Sequence, residues 1–80
     1  MRTLTYGVST EIYEWEEKQR IAYGIVVYAD IEKDGTATII ESVRDISPDR
    51  KAIEELVEQC NRLQLSLIHL GDVVDDFLAK

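Results

Sequence analysis

The sequence predicts a two-layer α+β domain, in which a three-stranded antiparallel meander is followed by two helices packed on one face of the sheet. Two observations predict it. The first half of the chain carries alternating and β-prone runs separated by turns, and the second half carries two apolar stripes at helical spacing. Such surfaces are buried most economically against one another. We therefore expect a single domain over residues 1–80, with the meander in 1–45 and the two-helix cover in 46–80.

Two strands are predicted over residues 3–15 and 20–31. The first run alternates with period two, and the second is the run richest in β-branched and aromatic residues. A turn centred on Glu17 and Lys18 would join them as a hairpin in which Val8 lies opposite Val27. The apolar face of this hairpin, which the helices are expected to cover, then gathers Leu4, Tyr6, Val8, Ile12, Ile21, Tyr23, Ile25 and Val27.

A third strand is predicted over residues 36–44, after a three-residue loop in which Gly35 takes the left-handed conformation. Glu41 breaks the apolar pattern of this strand, unless it lies at an edge or a bulge turns Ile40 inward. The residues that the pattern places on the apolar face are Ala37, Ile39 and Val43.

Two helices with clear start signals are predicted in the second half of the chain. The first begins at Ser47 and Pro48, because serine accepts free amides of the first turn and proline needs no N–H there. The second starts after Ser66. The apolar stripe of the first helix is Ala52, Ile53, Leu56, Val57, Cys60 and Leu63. The stripe of the second is Leu67, Leu70, Val73, Val74, Phe77 and Leu78.

Composition and charge exclude several classes of function. The formal net charge is −7 with no basic stripe, which disfavours binding to nucleic acid or to anionic membranes. No apolar run reaches the roughly 18 residues of a transmembrane helix, and the N-terminus lacks the apolar region of a signal peptide. A cytoplasmic location is expected. The glycines form no phosphate-binding motif, so no cofactor is predicted.

The residues with chemical potential do not form a convincing site. Cys60 is the single cysteine and is interpreted as a small buried hydrophobe. His69, Asp72 and Asp76 share one side of the second helix, where they could hold a divalent metal or support acid–base catalysis. No second ligand cluster or nucleophile accompanies them, and a solvated acidic face is the simpler interpretation. No catalytic, cofactor-binding or metal-binding residue is assigned, and no enzyme activity is predicted.

Four glutamates near the tip of the first hairpin have the residue type of a paired-carboxylate site. Alternation separates two of them onto opposite faces, and the other two fall in the turn. We interpret them as a charged hairpin tip that opposes aggregation. They are Glu11, Glu14, Glu16 and Glu17.

The face of the sheet away from the helices is the candidate functional surface. A two-layer domain leaves this face in water, and contiguous exposed aromatic residues often mark a partner site. It is predicted to carry Tyr13, Trp15, Ala22, Val26, Tyr28 and, without the bulge, Ile40. The interaction residues are assigned as Tyr13, Trp15, Val26 and Tyr28. The expected function is a small acidic interaction module that binds a protein partner or forms a homodimer, either through this face or through a strand edge. The alternatives are scattered exposed apolar residues without a role, the site on the second helix, and an acidic decoy that mimics nucleic acid.

Three stretches carry a resemblance to a known family: Asp45–Arg50, Glu54–Asn61 and Leu65–Leu78. They resemble a family of small uncharacterised proteins from Gram-positive anaerobic bacteria. The similarity covers about residues 20–79, and its helical part is the specific portion. The family is a domain of unknown function, so the resemblance implies a bacterial intracellular protein and transfers no site residues.

Overall fold

The computed structural model describes residues 4–29 and 33–79. Its elements in chain order are strands β1 (Leu4–Trp15), β2 (Lys18–Ala29) and β3 (Thr38–Ser47), helix α1 (Arg50–Arg62), a 3₁₀ turn (Leu67–His69) and helix α2 (Leu70–Leu78). The strands form an antiparallel sheet in the order β1-β2-β3. The predicted meander with a two-helix cover is confirmed. The predicted strand ends at Thr3, Asp30 and Ile31 lie outside the described residues.

The β1–β2 hairpin turns at Glu16 and Glu17, one residue earlier than predicted. Both residues have positive φ, 51° and 64°, as a type I′ turn requires of its two central residues. The register therefore shifts, and Val8 lies opposite Ile25 rather than Val27. Because the shift is two residues, the same side chains still share a face. The predicted pairing was wrong, but the predicted apolar face was right.

The β2–β3 loop is held by a short side-chain turn. Gly35 has φ 88°, the left-handed conformation predicted for it. The carboxylate of Asp34 accepts hydrogen bonds from the backbone N–H of Thr36 at 2.9 Å and from its hydroxyl at 2.7 Å. These bonds lower the pKa of Asp34. They hold Thr36 in the loop, so β3 begins at Thr38, two residues later than predicted.

A bulge near the start of β3 decides which of its side chains enter the core. The register shifts between Val27 and Tyr28, and Ile40 packs against the core. Ile39 lies opposite Tyr28 and is 60% exposed. The bulge alternative is therefore confirmed, and Ile40 does not belong to the outer face. Ile39 and Ala37 were wrongly expected inside, because the bulge changes the face of every residue before it.

A second irregularity bends the end of β3, where Asp45 has a positive φ of 55°. The strand then continues to Ser47, past the predicted boundary of the meander. A side chain on Gly24 would clash with the carbonyl oxygen of Val43, and its Cβ would lie 3.1 Å from the Cα of Arg44. The backbone of β3 thus passes so close to β2 that only glycine fits there.

The core lies between the inner face of the sheet and the helices. Ile25, Val27 and Ile53 are fully buried. Cys60 is buried beside them, as predicted, and burial raises the pKa of its thiol. The complete buried cluster is Tyr6, Ile25, Val27, Ile46, Ile53, Leu56, Val57, Cys60, Leu70 and Val74.

Helix α1 begins at Arg50 rather than at Ser47. Asp49 is its N-cap and accepts a hydrogen bond from the backbone N–H of Ala52 at 3.3 Å. The hydroxyl of Ser47 instead accepts a bond from the N–H of Asp49 at 3.0 Å, which orients the capping residue. Leu63, predicted in the apolar stripe, is 63% exposed because the helix ends before it.

The second helical segment follows Ser66 as predicted, but it starts as a 3₁₀ turn, and the Ser66 side chain makes no capping hydrogen bond. Helix α2 begins at Leu70. Leu70 and Val74 are buried, whereas Leu78, the last residue of the helix, is 58% exposed. The middle of the predicted apolar stripe therefore packs in the core, whereas its C-terminal end is exposed to solvent.

Candidate interaction surface

The β1–β2 hairpin extends past the part of the sheet that the third strand covers. Strand β3 pairs with β2 from Ala29 back to Tyr23 and then leaves the sheet. Residues 11–22 consequently form a two-stranded ribbon, which we call the hairpin arm. Of the residues that the structure describes, none from the arm joins the buried cluster or packs against it. A two-stranded ribbon on its own is marginally stable in water.

The hairpin arm carries exposed apolar side chains on both faces. Ile12 and Ile21 lie directly opposite each other on the inner face and are 65% and 46% exposed. Tyr13 and Trp15 lie on the outer face and are 37% and 65% exposed. The sequence analysis identified the outer pair. It placed the inner pair under the helices, and this was wrong because the helices do not extend that far.

The other two predicted interaction residues have different surroundings. Val26 is 7% exposed, and Tyr28 is half-buried. A Cβ on Gly7 would lie 3.3 Å from Cε2 of Tyr28 and 3.4 Å from Cγ1 of Val26. These two side chains therefore close over the bare backbone of Gly7 and shield one another. The expectation that Val26 is exposed was wrong, and the exposed apolar residues of the outer face are Tyr13 and Trp15 in the arm and Ile39 on β3.

A polar bridge crosses the outer face at the end of the arm nearest to β3. Nε of Arg44 donates a hydrogen bond to Oε1 of Glu11, and the Tyr13 hydroxyl donates one to Oε2 at 2.7 Å. Glu11 lies on β1 directly opposite Ala22, whereas Arg44 lies on β3. The bridge thus passes over β2 at a small residue, and Ala22 is 6% exposed. Its expected exposure was therefore wrong as well.

The bridge changes the ionisation of its members. The hydrogen bond from Arg44, and then that from Tyr13, lower the pKa of Glu11. The hydrogen bond that Tyr13 donates to Glu11 raises the pKa of Tyr13, and the hydrogen bond that Arg44 donates to Glu11 raises the pKa of Arg44. Glu11 is thus a positioning group that remains charged and ties the outer strands together.

An open depression of about 540 Å³ lies beside the bridge. Its lining combines aromatic, apolar and charged groups. The residues around it are Tyr13, Arg20, Ile21, Ala22, Asp45 and Pro48. A neighbouring depression extends along Trp15 and Glu14. Together they form an open concave surface with an aromatic rim at the end of the sheet.

The free edge of β1 is closed at one position by a side chain from α1. Oδ1 of Asn61 accepts a hydrogen bond from the Tyr6 N–H at 2.8 Å, and its Nδ2 donates to the Tyr6 carbonyl at 2.9 Å. A primary amide offers the same donor and acceptor as a peptide group. Asn61 therefore occupies the place of a neighbouring strand. The Tyr6 hydroxyl donates a hydrogen bond to the Leu65 carbonyl at 2.6 Å, which fixes the position of the Tyr6 ring.

The residues considered for metal binding do not come together as a site. His69 belongs to the 3₁₀ turn, Asp72 lies in the first turn of α2, and Asp76 lies one turn further on. All three are exposed. Within residues 4–29 and 33–79, no group of three or more His, Cys, Asp or Glu side chains could hold a metal ion.

The four hairpin glutamates are also separated. Glu11 lies in the bridge on the outer face. Glu14 is exposed, and strand alternation assigns it to the inner face. Glu16 and Glu17 form the turn. The predicted charged hairpin tip is thus found, and no carboxylate pair faces a cleft among these four residues.

A family model described as "Family of unknown function (DUF6514)" matches residues 2–80, and the chain belongs to this family. The resemblance to a family of unknown function is confirmed. A search of curated proteins and a search of solved structures found no match. Among the described residues, no helix is both long and apolar enough to cross a membrane.

Proposed function

We propose that this member of a family without assigned function is a non-enzymatic interaction module that forms a homodimer through its hairpin arm. The observation that carries the proposal is the arm itself. Its two faces expose Ile12 and Ile21 on one side and Tyr13 and Trp15 on the other. Because the apolar groups point both ways, no bending of a lone arm onto the domain can remove all of them from water.

Charge favours a second copy as the occupant of the arm. The arm carries four glutamates together with Lys18 and Arg20, and Arg44 already pairs with Glu11. A second copy of the chain, which carries charges of both signs, can complement this mixed surface. A purely basic partner could not complement Lys18 and Arg20.

Sedimentation velocity over micromolar to submillimolar concentrations tests the proposal. We expect the wild-type protein to sediment as a dimer in the upper part of this range. Ile12→Ser is expected to shift the equilibrium to monomer. The matched control is Ile68→Ser, which removes a side chain that is 83% exposed but lies outside the arm. A wild-type monomer at every concentration, or an equal effect of Ile68→Ser, would contradict the proposal.

The absence of catalysis is a separate part of the proposal. It is supported by the separation of the candidate carboxylates and by the exposed position of His69. Titration with zinc, manganese or nickel, followed by the NMR signals of His69, tests it. We expect no saturable shift, and a shift that saturates at one metal per chain would support a metal-dependent activity instead.

The cellular location is proposed from composition and resemblance. We propose a cytoplasmic protein of a Gram-positive anaerobic bacterium, because three stretches of the chain resemble proteins of such organisms. Fractionation of producing cells would place the protein with soluble cytoplasmic markers. Recovery in the culture medium would contradict this.

A further inference from the structure

The free edge of β1 allows a more specific inference, which rests on the proposed homodimer and gives it a geometry. Asn61 shows that Tyr6 directs its N–H and C=O away from β2. By the two-residue period of a strand, Val8, Thr10 and Ile12 direct theirs the same way. Thr10 and Ile12 are exposed, and no other described residue hydrogen-bonds to this edge of the arm.

We propose that two copies pair their β1 strands antiparallel about a two-fold axis at Thr10, so that the two sheets join into one sheet of six strands. In this register Thr10 faces the partner's Thr10, and Val8 faces the partner's Ile12. All these residues direct their backbone groups outward, so each facing pair exchanges two backbone hydrogen bonds. Strand addition at a free edge is a common mode of protein recognition.

The structure selects this register over its neighbours. An axis at Ser9 would set Ile12 against the partner's Tyr6, whose edge Asn61 already occupies. An axis at Glu11 would place two Glu11 side chains directly opposite each other, and like charges in that position destabilise a sheet. With the axis at Thr10, Glu11 instead faces the partner's Ser9. With this axis the Tyr6 edge that Asn61 occupies meets the partner's Glu14, so Asn61 ends the pairing at both ends of the segment 8–12.

The pairing also covers apolar surface. Ile12 is 65% exposed on the inner face, and the proposed register sets it beside the partner's Val8. The segment 8–12 carries one charged residue, Glu11, which is bound by Arg44 of its own chain. The acidic character of the protein is thus kept away from the axis. The same pairing gives the marginal two-stranded arm a third strand.

Thr10→Pro tests the pairing without breaking the hairpin. Thr10 lies at a position where β1 does not hydrogen-bond to β2, so proline removes only an outward N–H. We expect the dissociation constant of the dimer to rise about tenfold or more, because both hydrogen bonds at the axis are lost. Glu14→Pro removes an outward N–H of the same arm outside the paired segment. As the control, it should leave the dissociation constant near that of wild type.

Cysteine cross-linking tests the register independently of any effect on folding. In the proposed geometry the two Thr10 Cα atoms lie about 5.5 Å apart, within the range of a disulfide. Mild oxidation of Thr10→Cys is therefore expected to give a covalent dimer. Ile12→Cys should not, because it faces the partner's Val8. The native Cys60 is buried, so wild-type protein provides the background.

The outcomes separate the two proposals. A wild-type dimer that tolerates Thr10→Pro and does not cross-link through Thr10→Cys would overturn the edge pairing and leave the homodimer standing. Cross-linking through Ile12→Cys in place of Thr10→Cys would likewise overturn the register. A wild-type monomer at all concentrations, with no cross-linking of Thr10→Cys, would overturn both.

Discussion

The base of the β1–β2 hairpin, which is residues 4–10 and 23–29, and its arm have similar residue types but opposite surroundings. At the base, Tyr6, Ile25 and Val27 are buried under the helices, whereas Ile12 and Ile21 on the same face of the arm are largely exposed. Strands of 12 residues extend about 40 Å. Helix α1, with 13 residues, covers about 20 Å. The length of the cover, rather than the apolar pattern of the strands, therefore decides which isoleucines are core residues.

The largest effect expected from this comparison is on unfolding. Ile25→Ala should lower the free energy of unfolding by about 3 kcal/mol, because it opens a cavity in a fully buried position. Ile12→Ala should change it by less than about 0.5 kcal/mol. Urea denaturation, at protein concentrations where the chain is monomeric, measures both. Equal costs would mean that the arm is packed in solution and that the contrast between base and arm is wrong.

A second test concerns the backbone at the junction of base and arm. Gly24→Ala should cost about 2 kcal/mol, because the new methyl group meets the backbone of β3 and must push the strands apart. Gly71→Ala is the matched control, since nothing lies within 4 Å of its Cβ position and helix propensity favours alanine there by up to about 1 kcal/mol. Thermal denaturation should show opposite signs for the two variants. A neutral Gly24→Ala would show that β3 does not approach β2 so closely.

The strand order and the apolar face of the sheet could be predicted from the sequence, but the contrast in exposure could not be read from the strands alone. Strand order and the apolar face followed from period-two alternation, which survives an error of two residues in register. The turn position was missed because Glu16 and Glu17 adopt positive φ without the Asn-Gly signal of such turns. The exposure of Ile12 and Ile21 was also missed. Comparing the predicted strand and helix lengths could have found it.

Other features of the candidate site depend on tertiary geometry. Burial of Val26 requires the Tyr28 ring to lie over Gly7, which no local pattern encodes. The pairing of Glu11 with Arg44 joins residues on two strands that are not neighbours. This pairing depends on the irregular end of β3, so it cannot be predicted from the patterns of the separate strands.

A smaller effect is expected where the helix closes the edge of the base. Asn61→Ala removes both hydrogen bonds to the Tyr6 backbone and should cost about 1–2 kcal/mol. The amide proton of Tyr6 should also exchange faster with solvent. Gln59→Ala, at another exposed position of α1, is the control and should change neither quantity. Unchanged exchange of Tyr6 would show that Asn61 does not protect this edge.

The smallest effect is expected at the bridge that joins the arm to β3, because Arg44 is 69% exposed and solvent screens the pair. The pKa of Glu11 is lowered in the fold, chiefly by the hydrogen bond from Arg44. Its contribution to stability is therefore complete above the ordinary glutamate pKa of about 4.3 and is lost as the pH falls through the lower pKa of the folded state. Urea midpoints measured against pH should fall less steeply in this acidic range for Glu11→Gln than for wild type. Glu14→Gln removes the same charge outside the bridge and should keep the wild-type slope, so equal slopes for wild type and Glu11→Gln would mean that the arm is not anchored by this carboxylate.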